Sequence, residues 1–332
     1  MMWKTVCMAG LALAWIGGTM DAEEPFTARK GPFPPIPEEV TSFGAAIAGD
    51  SLYLYGGHTG AAHSYSNKDQ GRTLWRIDLK TPKQWESVVT GPPLQGLALV
   101  ACNGKIYRIG GFTAVNKEGE EHDLRSTASV AVCDPATGKW NDCSPLPQPR
   151  SSFDAAVLDG KIYVIGGWHL SGSDDRAQWH NTAYVLDTAA ETPTWKELPT
   201  PPFVRRALAV AAFDGKIYAI GGMQQRGGPT TRIDIYDPTT KRWSQGPSLH
   251  GRPMNGFGAS AFAAGDHLYV TTMDGSLQRL DKGGRAWKSL GKLEHGRFFH
   301  RMLRLNDRQL LMIGGASMST GKYDEIEIIE IR

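Results

Sequence analysis

Three stretches of this chain are near copies of one another: Asn103 to Gly111, Asp159 to Gly167 and Asp214 to Gly222 each read Asx-Gly-Lys-Ile-Tyr-x-Ile-Gly-Gly. Looser copies lie at Ser51 to Gly57 and Gln309 to Gly315. The opening Asn-Gly or Asp-Gly is the pair preferred by two-residue type I′ hairpins, because both positions tolerate positive φ. The apolar run that follows is a strand, and the glycine doublet marks a place where another backbone or a ring comes too close for a Cβ. A unit that recurs roughly every 50 residues buries its faces only against its neighbours, so the whole chain must fold as an array of such units.

The remainder of each unit repeats as well. An apolar strand such as Ser152 to Leu158 precedes the hairpin turn, and a third strand ends in an aspartate at Asp78, Asp134, Asp187, Asp237 and Asp281. A tryptophan follows, at Trp85, Trp140, Trp195, Trp243 and Trp287, and opens a fourth strand that runs into proline-rich segments such as Pro145 to Pro149. Asp134-Pro135 and Asp237-Pro238 are good turns between strands three and four, since proline presets φ at the second position. In the fifth unit Thr271-Thr272 replaces the glycines. The sixth stops after Glu325 to Ile331, before any tryptophan, and Phe26 to Pro37 has the form of the missing fourth strand, with Phe26 in the tryptophan place. Six units, closed by pairing the two ends of the chain, are expected.

Composition narrows the function classes. The 332 residues carry a net charge of only +2, with Lys and Arg scattered, so no footprint for nucleic acid is visible. Met1 to Lys4 precede an apolar run, Thr5 to Ile16, with small residues ending at Ala22, which reads as a secretory signal over residues 1–22. That run is short for a bilayer and no later stretch reaches 18 apolar residues, so residues 23–332 are expected as one exported, periplasmic or secreted, domain without membrane insertion. Export would allow Cys133 and Cys143, which flank one hairpin, to pair; buried thiols are the open alternative.

The Gly-Gly strand, the aspartate-turn-tryptophan unit and the period together resemble Kelch repeats over essentially all of the chain after the leader. The resemblance implies an all-β fold, a six-bladed β-propeller closed by an N-terminal strand that completes the last blade. In architecture alone the chain is similar to exported bacterial Kelch propellers that interconvert sialic acid anomers. Copper radical oxidases on this fold use seven blades, two His ligands and a Tyr cross-linked to Cys, and plant specifier proteins carry iron on Glu-x3-Asp-x3-His. Neither pattern stands in this sequence. No cofactor and no metal is expected.

Differences between the units point to a site. From the first doublet position to the tryptophan the chain takes 29, 30 and 29 residues in units one to three, against 22 and 16 in units four and five. The excess lies between strands two and three, so blades one to three are expected to raise a wall on one face, the default place for a ligand. Trp168, His169, Arg176 and Trp179 of the third loop are the first ligand-binding candidates. Arg150, Arg206, Arg252 and Arg297, with Arg205 and Arg301, precede or open the first strands, and arginines aimed into the channel would grip a carboxylate bidentately. The expected function is a monomeric recognition module that binds a glycan, an anionic sugar or a protein on this face. The alternative is a sugar mutarotase using His180, His122, Asp174 and Glu121 as acid and base.

Overall fold

The computed structural model describes residues 25–173 and 176–332; the leader and Asp174 lie outside the described residues. It contains six four-stranded antiparallel sheets. Blade three runs Asp154–Leu158, Lys161–Ile165, Ala183–Asp187 and Trp195–Glu197, the order read from the repeat. Asn103, Asp159 and Asp214 at the hairpin corners have φ of 49°, 50° and 48°, as the type I′ turns require. In blade six the strand Phe26–Lys30 pairs antiparallel with Ile326–Ile331, Phe26 opposite Ile331. The first and last described strands therefore share one sheet.

The first strands contact one another in ring order, blade one to two and onward to six and back to one. A closed circle of backbone hydrogen bonds binds their starts. Each amide donates to the preceding blade: Gly96 to Ser42, Ser152 to Gly96, Ala207 to Ser152, Gly258 to Ala207, Phe299 to Gly258, and Ser42 to Phe299, at 2.7–3.4 Å. All six residues sit at positive φ, between 50° and 61°. Four of them are not glycine, so the strain of the left-handed region is held in place by the ring itself.

The doublet is a second interblade stitch. Gly167 donates its amide to Arg205 O of the next blade at 2.8 Å. A Cβ on Gly166 would lie 2.7 Å from that same carbonyl, and one on Gly167 would lie 2.5 Å from Ser151 O. Blade five, with threonines there, replaces the stitch by a side-chain bond: Thr271 Oγ1 and His300 Nε2 of blade six stand 2.6 Å apart. The tryptophans tie each blade to the one before it. The indole N–H of Trp195 donates to Ser144 O, that of Trp243 to Pro199 O and that of Trp287 to Pro247 O. Phe26 fills the same place in blade six, packed with Leu277 and Leu293 of blade five.

Cys102, Cys133 and Cys143 are free thiols. Cys133 stands opposite Trp140 in the hairpin and packs toward blade one with Tyr55 and Leu74. Cys143 packs toward blade three with Phe153 and Ile162. The two thiols face opposite sides of blade two, which rules out the pairing.

Candidate functional site

The loops of blades one to three form a structured crust. In blade two Phe112–Ala114 pairs with Leu124–Ser126, and Ser171–Gly172 of blade three adds a third strand to that small sheet. Blade one joins through Gln70, whose side-chain oxygen accepts from Ala114 N at 2.7 Å and whose amide donates to Ala114 O at 2.9 Å. Asn116 donates to Tyr65 O. Beneath the crust Phe112, Ala114, Leu124 and Leu170 make an apolar cluster, with Tyr65, Trp168 and Ala177 against it. Loops that bury an apolar cluster of their own hold their surface side chains in place.

At the blade three end, Trp168–His169 pairs with Gln178–Trp179, which sets the two indoles edge to face at 5.6 Å. Blade four supplies the third member. The Arg206 guanidinium lies 3.9 Å over the Trp168 ring and 5.3 Å from that of Trp179. A half-buried cation over an indole is worth about 1–2 kcal/mol, and it answers how two tryptophans stand in one surface loop: the guanidinium covers one ring face. His169 is half-buried beside them and Arg176 is exposed. At the other end Tyr65 stacks on His58 at 4.9 Å and meets the edge of His122 at 5.3 Å. Burial, with Lys322 nearby, lowers the His58 pKa to about 4.

Several residues singled out from the sequence stand elsewhere. Arg150 and Arg297, proposed as ligand anchors, are fully buried, as is Arg205. Arg150 donates to Gly166 O and Thr182 O, Arg205 to Gly221 O and Arg232 O, and Arg297 to Gly314 O and Glu325 O. These guanidiniums fasten the doublet of their own blade to its third strand and present no carboxylate-gripping ring to the channel. Arg252 is exposed at the start of the 3-10 turn Pro253–Gly256. His180 is buried, its Nε2 2.9 Å from Pro149 O, and burial beside Arg150 holds its pKa at about 4. It is neutral at physiological pH and faces a backbone carbonyl, the wrong place for a surface acid or base. Glu121 is exposed and His122 lies against Tyr65, so the acid-base set is spread over separate environments. Among the described residues no three His, Cys, Asp or Glu side chains come together to hold a metal, and no helix is long and apolar enough to cross a membrane.

One pair on the axis went unread in the sequence. Arg301 opens the first strand of blade six and Asp154 that of blade three, diametrically opposed in the ring. Arg301 Nη1 reaches Asp154 Oδ1 at 2.8 Å, while its Nε donates to Phe43 O and its Nη2 to Leu97 O. Asp154 Oδ2 accepts from Val210 N at 3.0 Å. One ion pair thus ties blades one, two, three, four and six together across the axis. The signal was available: Gly44, Ala98, Asp154, Ala209, Ser260 and Arg301 occupy one repeat position, with opposite charges three units apart.

Comparison with known proteins decides the family. The FKB95, Kelch-repeats domain matches residues 66–331. The chain belongs to the Kelch-repeat family. Kelch-like protein 35 of Mus musculus is 26% identical over 266 residues, covering 80% of this chain and 38% of that protein. The chain therefore spans well under half the length of that relative. N-acetylneuraminate epimerase of Pasteurella multocida (strain Pm70) is 26% identical over 308 residues, 80% of this chain and 77% of that protein. The solved structure of YjhT superposes with a TM-score of 0.70 at 18% identity, over 89% of this chain and 95% of that one. At that identity the likeness is one of fold, a Kelch propeller.

Proposed function

We propose that this Kelch propeller is an exported recognition module that binds a protein partner on the crust of blades one to three. The observation that carries the reading is the three-stranded sheet shared by the loops of blades two and three, cross-linked to blade one through Gln70. A built, rigid surface with a half-exposed aromatic-arginine centre at Trp168, Trp179 and Arg206 is the composition of a protein-binding hot spot. Among the described residues one arginine, Arg206, stands over the two indoles. Export is supported by the sequence of residues 1–22 alone. The test is capture by the immobilised chain: Trp168→Ala/Trp179→Ala should lose the partner at a temperature well below the variant's own cooperative melting transition. A partner held equally by both forms would overturn the reading.

A second reading, sugar mutarotation, is favoured by the epimerase of Pasteurella multocida, which this chain matches over most of both lengths. Following anomeric exchange of N-acetylneuraminate by NMR tests it directly. Exchange at the uncatalysed rate in the presence of the protein would dismiss it.

A further inference from the structure

The axial channel holds a second cavity, on the face opposite the crust. On the crust side the backbone circle narrows the axis to a cavity of about 50 Å³ bounded by Ser42, Gly96, Ser152, Ala207, Gly258 and Phe299. Arg301 crosses the axis next, bonded to blades one, two and three. Beyond it lies a cavity of about 270 Å³, lined by the first strands of all six blades with Arg301, Asp154 and Ser260 among them. Toward the turns that join strands one and two the first strands grow exposed: Ile47, Val100, Val157 and Ala212 are half-buried, and Phe262 and Arg304 are exposed. The cavity is a blind tube that opens on the turn face.

Its walls and its floor select one chemistry. Each first strand is the end strand of its sheet, so its inner edge turns backbone N–H and C=O groups toward the tube. The floor is a neutral pair with bonding capacity to spare. Three of the five N–H groups of Arg301 are used, by Phe43 O, Asp154 and Leu97 O. Each Asp154 oxygen accepts one bond, from Arg301 and from Val210 N, and retains a further lone pair. Ser260 Oγ accepts from Met302 N and keeps its own O–H to donate. At the floor, donors and acceptors therefore alternate at close quarters with no net charge; the other charged residue of the lining, Arg304, stands exposed at the mouth and pairs with Asp307 at 3.6 Å. A ligand whose every polar group both donates and accepts fits such a surface, and that group is the hydroxyl. An anion would meet Asp154, and a cation Arg301, each already neutralised. The volume corresponds to about nine waters at liquid density, room for a single sugar ring and too little for a glycan chain.

We propose that the turn-face channel binds a small, uncharged polyol of monosaccharide size, held at its inner end by Arg301, Asp154 and Ser260. The probes are D-glucose and myo-inositol, with D-glucuronate as the charged counterpart, titrated into the full chain and followed by saturation-transfer difference NMR and calorimetry. Saturable binding of a neutral probe is expected, at least about tenfold tighter than that of glucuronate. Ser260→Ala, which removes the hydroxyl and leaves the ion pair intact, should weaken it about threefold, and Asp154→Asn about tenfold. Trp168→Ala/Trp179→Ala, on the opposite face, should leave it unchanged, so failure here and failure of the crust reading are told apart. Melting curves show whether Asp154→Asn is folded; if it is not, Ser260→Ala decides. No saturation by either neutral probe, equal binding of glucuronate, or indifference to Ser260→Ala would overturn the proposal.

Discussion

Replacing Arg301 by methionine tests whether the axial ion pair fastens the ring. Methionine keeps much of the side-chain bulk and removes the guanidinium, which leaves Asp154 with 13% of its side chain exposed and no cation. Stranding one partner of a buried pair costs about 3–5 kcal/mol. Water from the turn-face opening can reach Asp154 and the carbonyls of Phe43 and Leu97, so the lower end applies, about 3 kcal/mol. At roughly 2 °C per kcal/mol for a domain of this size, the melting temperature should fall by roughly 6 °C. Scanning calorimetry with urea unfolding measures it. The Arg301→Met/Asp154→Asn double variant should recover part of the loss, because no unpaired charge remains. A fall below about 1 °C, or single losses that simply add in the double variant, would refute the reasoning.

Three further outcomes follow from the same geometry. Gly167→Ala forces a Cβ to within 2.5 Å of Ser151 O at φ 91°, and should cost more than about 2 kcal/mol by urea denaturation, the clash adding to the strain of a left-handed alanine; Gly172→Ala, at φ 133° with open space around it, should cost less. His58 and His180 have folded pKa values of about 4 against an ordinary 6.5, so below pH 6.5 the unfolded chain takes up protons first and stability falls as pH drops from 6.5 toward 4. Urea midpoints at pH 7 and 4.5 should differ less in His180→Gln than in the parent, and equal differences would contradict the assignment. Alkylation of the unfolded chain without reductant should label Cys102, Cys133 and Cys143, since burial keeps the thiols protonated and apart.

Much of this architecture was legible because a repeat states it several times over. The Asx-Gly corners, the doublets and the tryptophans each serve a local geometry that the next blade repeats, and Phe26 in the tryptophan place announced the pairing with Ile331. The loop lengths foretold the crust. What they could not tell was that Ser171–Gly172 would leave its own blade to pair with Leu124–Ser126, because a two-residue strand has no periodicity to read. The arginines misled for a related reason. Arg150, Arg205, Arg206 and Arg301 stand within five residues of a first strand or in it, yet a step of one residue separates a buried fastener at Arg205 from the indole cover at Arg206. In a strand that step reverses the face. The free cysteines turn on the same rule, seen across a hairpin.

The claim that recognition belongs to the crust is tested most directly by site-specific photocrosslinking. A benzophenone side chain at Gln178, exposed beside Trp179, and another at Thr239, exposed on the turn face of blade four, report on the two faces of the same disc in an extract of the source organism. The account predicts a discrete adduct of protein mass from position 178, lost with Trp168→Ala, and none from 239. An adduct from 239 with none from 178 would contradict it.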